Sequence, residues 1–187
     1  MYEKDKIPNY ICQGDLFLRF NEEILPPVNP PELAFMILNN TCDLIHQEDL
    51  EFICICPVFN IEVIIQAFLN KSEKKVKENI LNGLRSKLIE LSNNKKKFFF
   101  FLSPILEHKF PPAFADFSQI SRISKEHLQN ILRNRISVLK NPWREKLGWM
   151  IGNVFNRVAI EDVNIEVIDN YINKDEVLNN FFLRKTQ

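Results

Sequence analysis

Glycine is scarce in this chain. The four glycines, Gly14, Gly83, Gly148 and Gly152, are too dispersed to form a phosphate-cradling loop, which needs several closely spaced backbone N–H groups. Neither a P-loop nor a dinucleotide-binding turn is expected. Cysteine is equally sparse, with Cys12, Cys42, Cys54 and Cys56 and no CxxC pair, which argues against a zinc knuckle. The three histidines, His46, His108 and His127, stand apart and make no HExxH spacing. No metal site and no cofactor are therefore expected. No apolar run approaches eighteen residues, so no membrane-spanning helix is predicted. The opening Met1-Tyr2-Glu3-Lys4-Asp5 holds no apolar signal region, and a cytoplasmic setting with reduced thiols is the expectation.

What is present is a globular composition, 45% hydrophobic and 26% charged. Its length fits one domain, or one with an appended helical part. Sixteen phenylalanines point to a bulky core. The formal net charge of zero hides an asymmetry. Residues 1–70 carry three basic and eleven acidic side chains, residues 71–157 eighteen and seven, and residues 158–187 three and six. Two readings follow: the basic middle is a surface for nucleic acid or an acidic partner, or it is neutralised internally by the acidic first part.

Residues 14–20 alternate and predict a strand with one apolar face. Pro26, Pro27, Pro30 and Pro31 make 21–33 an extended loop. Residues 34–40 and 50–58 read as buried strands, with Asn39–Asp49 as a polar connection. Cys54 and Cys56, two apart, should share a face as small core fillers. Residues 72–91 predict a helix capped by Ser72, with Val76, Ile80, Leu84, Leu88 and Leu91 on one stripe. Phe98–Leu102 suits a strand buried on both faces, ended by Pro104. Residues 114–123 suggest a short strand with a turn. Ser124 opens a helical segment through Leu128, Ile131, Leu132, Ile136 and Leu139. Asn141-Pro142 opens another, whose stripe is Trp143, Leu147, Met150, Ile151, Val154 and Val158. Trp149 lies off that stripe. A last helix is placed near Lys174–Leu183.

Three stretches taken in order carry a family resemblance. They are Gln13-Gly14-Asp15-Leu16-Phe17, Phe35-Met36-Ile37-Leu38-Asn39-Asn40, and the run ending at Pro57-Val58. A Gly-Asp turn into a first strand, an aliphatic second strand ending at Asn, and a third ending in Pro-aliphatic resemble the PemK/MazF toxin family. The resemblance, which covers roughly the first sixty residues and Phe98–Leu102, implies a small SH3-like barrel. With the predicted helices, the expectation is an α+β chain with that barrel over 1–123, the Lys-rich helix 72–91 inserted in it, and C-terminal helices over 124–187 packed on the barrel. In that family an arginine of an Arg-Pro pair and a threonine after the Pro-aliphatic pair cleave RNA. Here the Arg-Pro pair falls on Leu33-Ala34 and the threonine on Phe59. Neither leucine nor phenylalanine can hold a phosphate or move a proton, so no catalytic residue is assigned. Arg122 and Arg144 remain as arginines for the fold to bring from elsewhere.

Family relatives also occur in prokaryotic defence systems, including type III CRISPR systems in which such a homologue is a protease-cleaved inhibitor of a sigma factor. The resemblance thus implies a non-catalytic protein that binds and regulates a macromolecule, with a sigma factor, protease or antitoxin-like peptide as the protein partner. The alternatives are an endoribonuclease toxin and a nucleic-acid-binding regulator. Two residue groups stand out for such roles. Arg133, Arg135, Lys140, Arg144 and Lys146 form a basic cluster suited to phosphates or an acidic protein, or a merely solvated helical face. Thr41, Cys42, Asp43 and His46 form a polar site near a strand end, in which a cysteine–histidine pair competes with a simple Asx turn by Asp43.

Overall fold

A computed structural model describes residues 1–3, 8–21, 23–46, 50–71 and 77–155. The chain divides into two units, Met1–Val154 and Phe155–Gln187. In chain order the elements are β1 (Leu16–Phe17), β2 (Ala34–Ile37), α1 (Thr41–His46), β3 (Phe52–Asn60), α2 (Glu62–Asn70) and α3 (Lys77–Ser92). Then follow β4 (Phe99–Leu102), β5 (Ala113–Asp116), β6 (Ser121–Ser124), α4 (Leu128–Arg133), β7 (Arg135–Ser137) and α5 (Trp143–Phe155). The fold is α+β, with seven strands in one sheet ordered β4-β5-β3-β2-β1-β7 and β6 added on β3. Every ladder is antiparallel. Among the described residues no ladder joins β4 to β7, so closure of the sheet into a barrel is not seen.

The nine-residue β3 organises the sheet. It pairs with β2 along one edge, Phe35 facing Pro57 and Met36 facing Cys56. Proline lacks an N–H, so it sits where the ladder needs no donor from that residue. Along its other edge β3 pairs with β5 and then β6. Val58 faces Ala115 whereas Ile55 faces Ser121; three residues of β3 thus match six of the partner. The extra residues form a turn held by Asp116. Its Oδ1 accepts from the Ser118 N–H at 2.9 Å and the Ser118 hydroxyl at 2.6 Å, and its Oδ2 accepts from Gln119 Nε2 at 3.0 Å. The predicted strand-with-turn at 114–123 is therefore two strands sharing one edge.

Successive side chains of a strand point to opposite faces, and both faces of this sheet are covered. Leu16, Ala34, Met36, Cys56, Val58 and Phe100 belong to one core, completed by Leu147, Met150 and Val154 of α5. Phe17, Phe35, Ile37, Ile53 and Ile55 belong to another, capped by Leu44 of α1, Ile131 of α4 and Leu25 of the proline loop. A third cluster, Phe59, Phe114, Ile64 and Leu91, lies under α2 and α3. Cover on both faces explains the near-continuous apolar runs. Cys54 and Cys56 do share a face.

Several expectations are corrected. The strand at 14–20 shrinks to Leu16–Phe17, and both residues are buried instead of alternating; Leu18 already lies exposed. The polar connection after β2 contains α1, and 59–71, to which no element was given, contains α2. The segment from Ser124 is not one helix to Leu139. The Ser124 hydroxyl accepts from the Glu126 N–H at 3.4 Å and starts a short 3-10 turn, but α4 stops at Arg133. There the Asn134 side chain donates to the Asn130 carbonyl at 2.8 Å. The chain then enters β7 and pairs with β1. On α3, of the predicted stripe, Leu91 alone among the described residues is fully buried. Ser72, Val76, Val158 and the Lys174–Leu183 helix lie outside the described residues.

Candidate functional site

The Gly-Asp turn before β1 is the most constrained point of the fold. Gly14 has φ +83°, and a Cβ there would lie 2.5 Å from Leu139 Cδ1, so glycine meets both a backbone and a packing demand. Its N–H donates to the Ile37 carbonyl at 2.8 Å. The turn delivers Asp15 into the core at 0% exposure. Asp15 Oδ2 accepts from the Cys12 N–H at 3.0 Å and from Arg135 at 2.9 Å. Its Oδ1 is buried without a partner. Burial raises the carboxyl pKa from 3.8 to about 6, against the opposing pull of the Cys12 N–H and the Arg135 guanidinium. Burial, helped by the Asp15 charge, also pushes the Cys12 thiol up.

This geometry sorts the five predicted basic residues. Arg135 is spent inside the protein: besides Asp15 it donates to the carbonyls of Tyr10 and Pro8, pinning the N-terminal segment to β7. Arg144 donates to the Leu139 carbonyl at 2.6 Å. Lys146 lies 5.4 Å from the Trp143 ring centre, a cation–π contact. Arg133 and Lys140 are exposed. The five sit on α4, β7, the following connection and α5, so they are not one solvated helical face. Three of them, Arg133, Lys140 and Lys146, stay near the surface.

The polar site near the end of β2 is α1 and its cap. Asn40, not Asp43, makes the Asx turn: its Oδ1 accepts from the Cys42 N–H at 3.2 Å. The Thr41 hydroxyl accepts from the Gln13 N–H at 3.1 Å, and Gln13 Nε2 donates to the Leu38 carbonyl at 2.8 Å. These bonds tie α1 to the Gly-Asp turn. Cys42, Asp43 and His46 are exposed. Among the described residues no hydrogen bond joins Cys42 to His46, so no nucleophile–base pair is assembled.

The positions that the family resemblance singles out are structural here. Leu33 is half-buried against the core, and Ala34 and Phe59 are buried. Thr41 is the one described threonine, and no described arginine bonds to it. Arg122 instead lies 5.1 Å from the Phe52 ring centre. Arg19 pairs with Glu32 at 2.7 Å and donates to the Leu25 and Pro26 carbonyls. Among the described residues no group of three His, Cys, Asp or Glu could hold a metal, and no helix is long and apolar enough to cross a membrane.

The outer side of α5 carries the most exposed aromatic side chain among the described residues. Trp149 is 70% exposed while its neighbour Met150 is 4% exposed. Glu145 and Lys146, one turn earlier, flank it on the helix surface. Its position off the apolar stripe was the sequence signal. Gln13 and Asn40, which fix α1, carried no such signal, because their roles depend on contacts across the fold. No family model matches this chain, and no curated protein matches it.

Proposed function

We propose that this chain is a non-catalytic protein of the PemK/MazF type, its sheet an SH3-like relative, that binds and regulates a protein partner in a prokaryotic defence or stress system. One observation carries the non-catalytic half: where the toxins hold the Arg-Pro pair and the threonine, this chain has Leu33-Ala34 and Phe59, with Ala34 and Phe59 buried and Leu33 half-buried against the core. A phosphate has no cation or hydroxyl to meet at those positions. Arg19, Arg135 and Arg144 are bonded to Glu32, Asp15 and the Leu139 carbonyl, and Arg122 lies against the Phe52 ring; Arg85 and Arg133 are exposed.

For docking, the α5 surface favours a protein over a nucleic acid. Two of the five cations are spent internally, which weakens a phosphate-binding face. An exposed tryptophan with Glu145 and Lys146 one turn earlier on the helix suits an apolar segment with charged residues beside it, and tryptophan is enriched at interface centres. A sigma factor, a protease or an antitoxin-like peptide fits that chemistry. Tagged protein purified from its native host should retain a stoichiometric protein partner, and Trp149→Ala should weaken that partner's affinity by about tenfold or more. The protein should leave long single-stranded RNA intact. RNA cleavage that disappears in Arg122→Ala would establish the toxin reading instead.

A further inference from the structure

A pocket of about 280 Å³ lies between the sheet and the α2–α3 layer. Phe59 and Phe114 come from β3 and β5, Phe99 from β4, Ile64 and Ala67 from α2, and Leu91 from α3. The three rings form a corner: Phe114 lies 5.7 Å from Phe59 and 5.0 Å from Phe99, at interplanar angles of 41° and 59°. Such a corner offers ring faces and edges to a flat aromatic guest. The close approach of α2 and α3 is elsewhere, where a Cβ on Gly83 would lie 2.9 Å from Phe68 Cζ. The space beneath is thus framed by the helices without being filled by them. A dry cavity of about 150 Å³ admits benzene, so this volume suits a two-ring compound.

The pocket also carries charge. Lys87 and Lys96 line it together with Asp116 and Gln119. Both oxygens of Asp116 are engaged by Ser118 and Gln119. The lysines hold only replaceable partners: Lys87 Nζ lies 5.6 Å from the Phe68 ring centre, and Lys96 pairs with Glu90 at the surface. Surface pairs of this kind are weak, so either ammonium can turn to an anion.

We propose that this pocket binds a small two-ring aromatic carboxylate, its rings in the phenylalanine corner and its carboxylate at Lys87 and Lys96. The site is separate from α5 and independent of the docking reading. The probes are naphthalene-2-carboxylate, its neutral amide and naphthalen-2-ylmethylammonium, titrated into the full chain by NMR. The carboxylate should shift the Ile64 methyl signals saturably and bind about tenfold more tightly than the ammonium. The variant Lys87→Gln/Lys96→Gln should lose about that factor for the carboxylate and keep its affinity for the amide. Ala67→Leu, which adds apolar bulk to the pocket's lining, should weaken both; should it not fold, the surface lysine variant carries the test. Equal affinity for carboxylate and ammonium, or binding indifferent to the lysines, would overturn the assignment. Absence of any shift at millimolar probe would reduce the pocket to a packing void only and overturn it equally.

Discussion

Asp15 is the residue on which local chemistry and folding meet. Its carboxyl is fully buried, bonded to Arg135 and the Cys12 N–H, yet raised to about 6 because desolvation outweighs those bonds. A carboxyl with a folded pKa above its unfolded value takes up a proton on folding. Its contribution to stability is therefore largest below about pH 4 and declines as pH rises to about 6, where the folded group ionises. Asp15→Asn stays neutral throughout and lacks this dependence. Wild-type stability relative to Asp15→Asn should fall by about 1–3 kcal/mol between pH 4 and pH 7, measured by urea denaturation. A flat difference would mean that Arg135 holds the carboxylate ionised across the whole range.

On the scale of elements, α5 shows how one helix serves two environments. Leu147, Met150 and Val154 are buried on the sheet, and Trp149 faces outward. Met150→Ala should cost about 2–5 kcal/mol because it empties a packed position. Trp149→Ala should stay within about 0.5 kcal/mol of wild type, since little around it is lost. Thermal and urea unfolding of the two variants would separate a docking tryptophan from a structural one. The same stretch shows what periodicity conveys. The stripe of α5 was legible because one face dominates. The run through Leu128, Ile131, Leu132, Ile136 and Leu139 also fits a helical period, yet it contains α4 and then β7. The open edge of β1 decides there, because β7 gains ladder hydrogen bonds that its own sequence does not announce.

For the whole molecule, cover on both sheet faces is the organising fact. In a half-solvated sheet, adjacent strand residues would differ sharply in sensitivity. Here Phe35 and Met36 are both at 0% exposure and belong to different cores. Phe35→Ala and Met36→Ala should each destabilise by about 2–5 kcal/mol. A small loss in either, by chemical denaturation, would mean that its face is not packed as described. The charge asymmetry resolves only partly. Asp15 pairs with Arg135, so acidic first part and basic middle do meet, while Arg133 and Lys140 stay exposed.

Taken by themselves, the residues pointed to buried strands at 34–40, 50–58 and 98–102, because apolar runs without a polar alternate must be covered on both sides; the fold bounds them as Ala34–Ile37, Phe52–Asn60 and Phe99–Leu102. They also determined the glycine at the turn before β1, the α5 stripe, and the Leu33-Ala34 and Phe59 that stand where the PemK/MazF resemblance would place Arg-Pro and threonine. Tertiary structure alone decided the fate of Arg135, whose partner Asp15 is 120 positions away, and the role of Asn40 as the cap of α1. It also decided the register slip that lets β5 and β6 share one edge of β3. Hydrophobic pattern is a local property of the chain, whereas ion pairs, edge pairing and pockets depend on which distant segments meet.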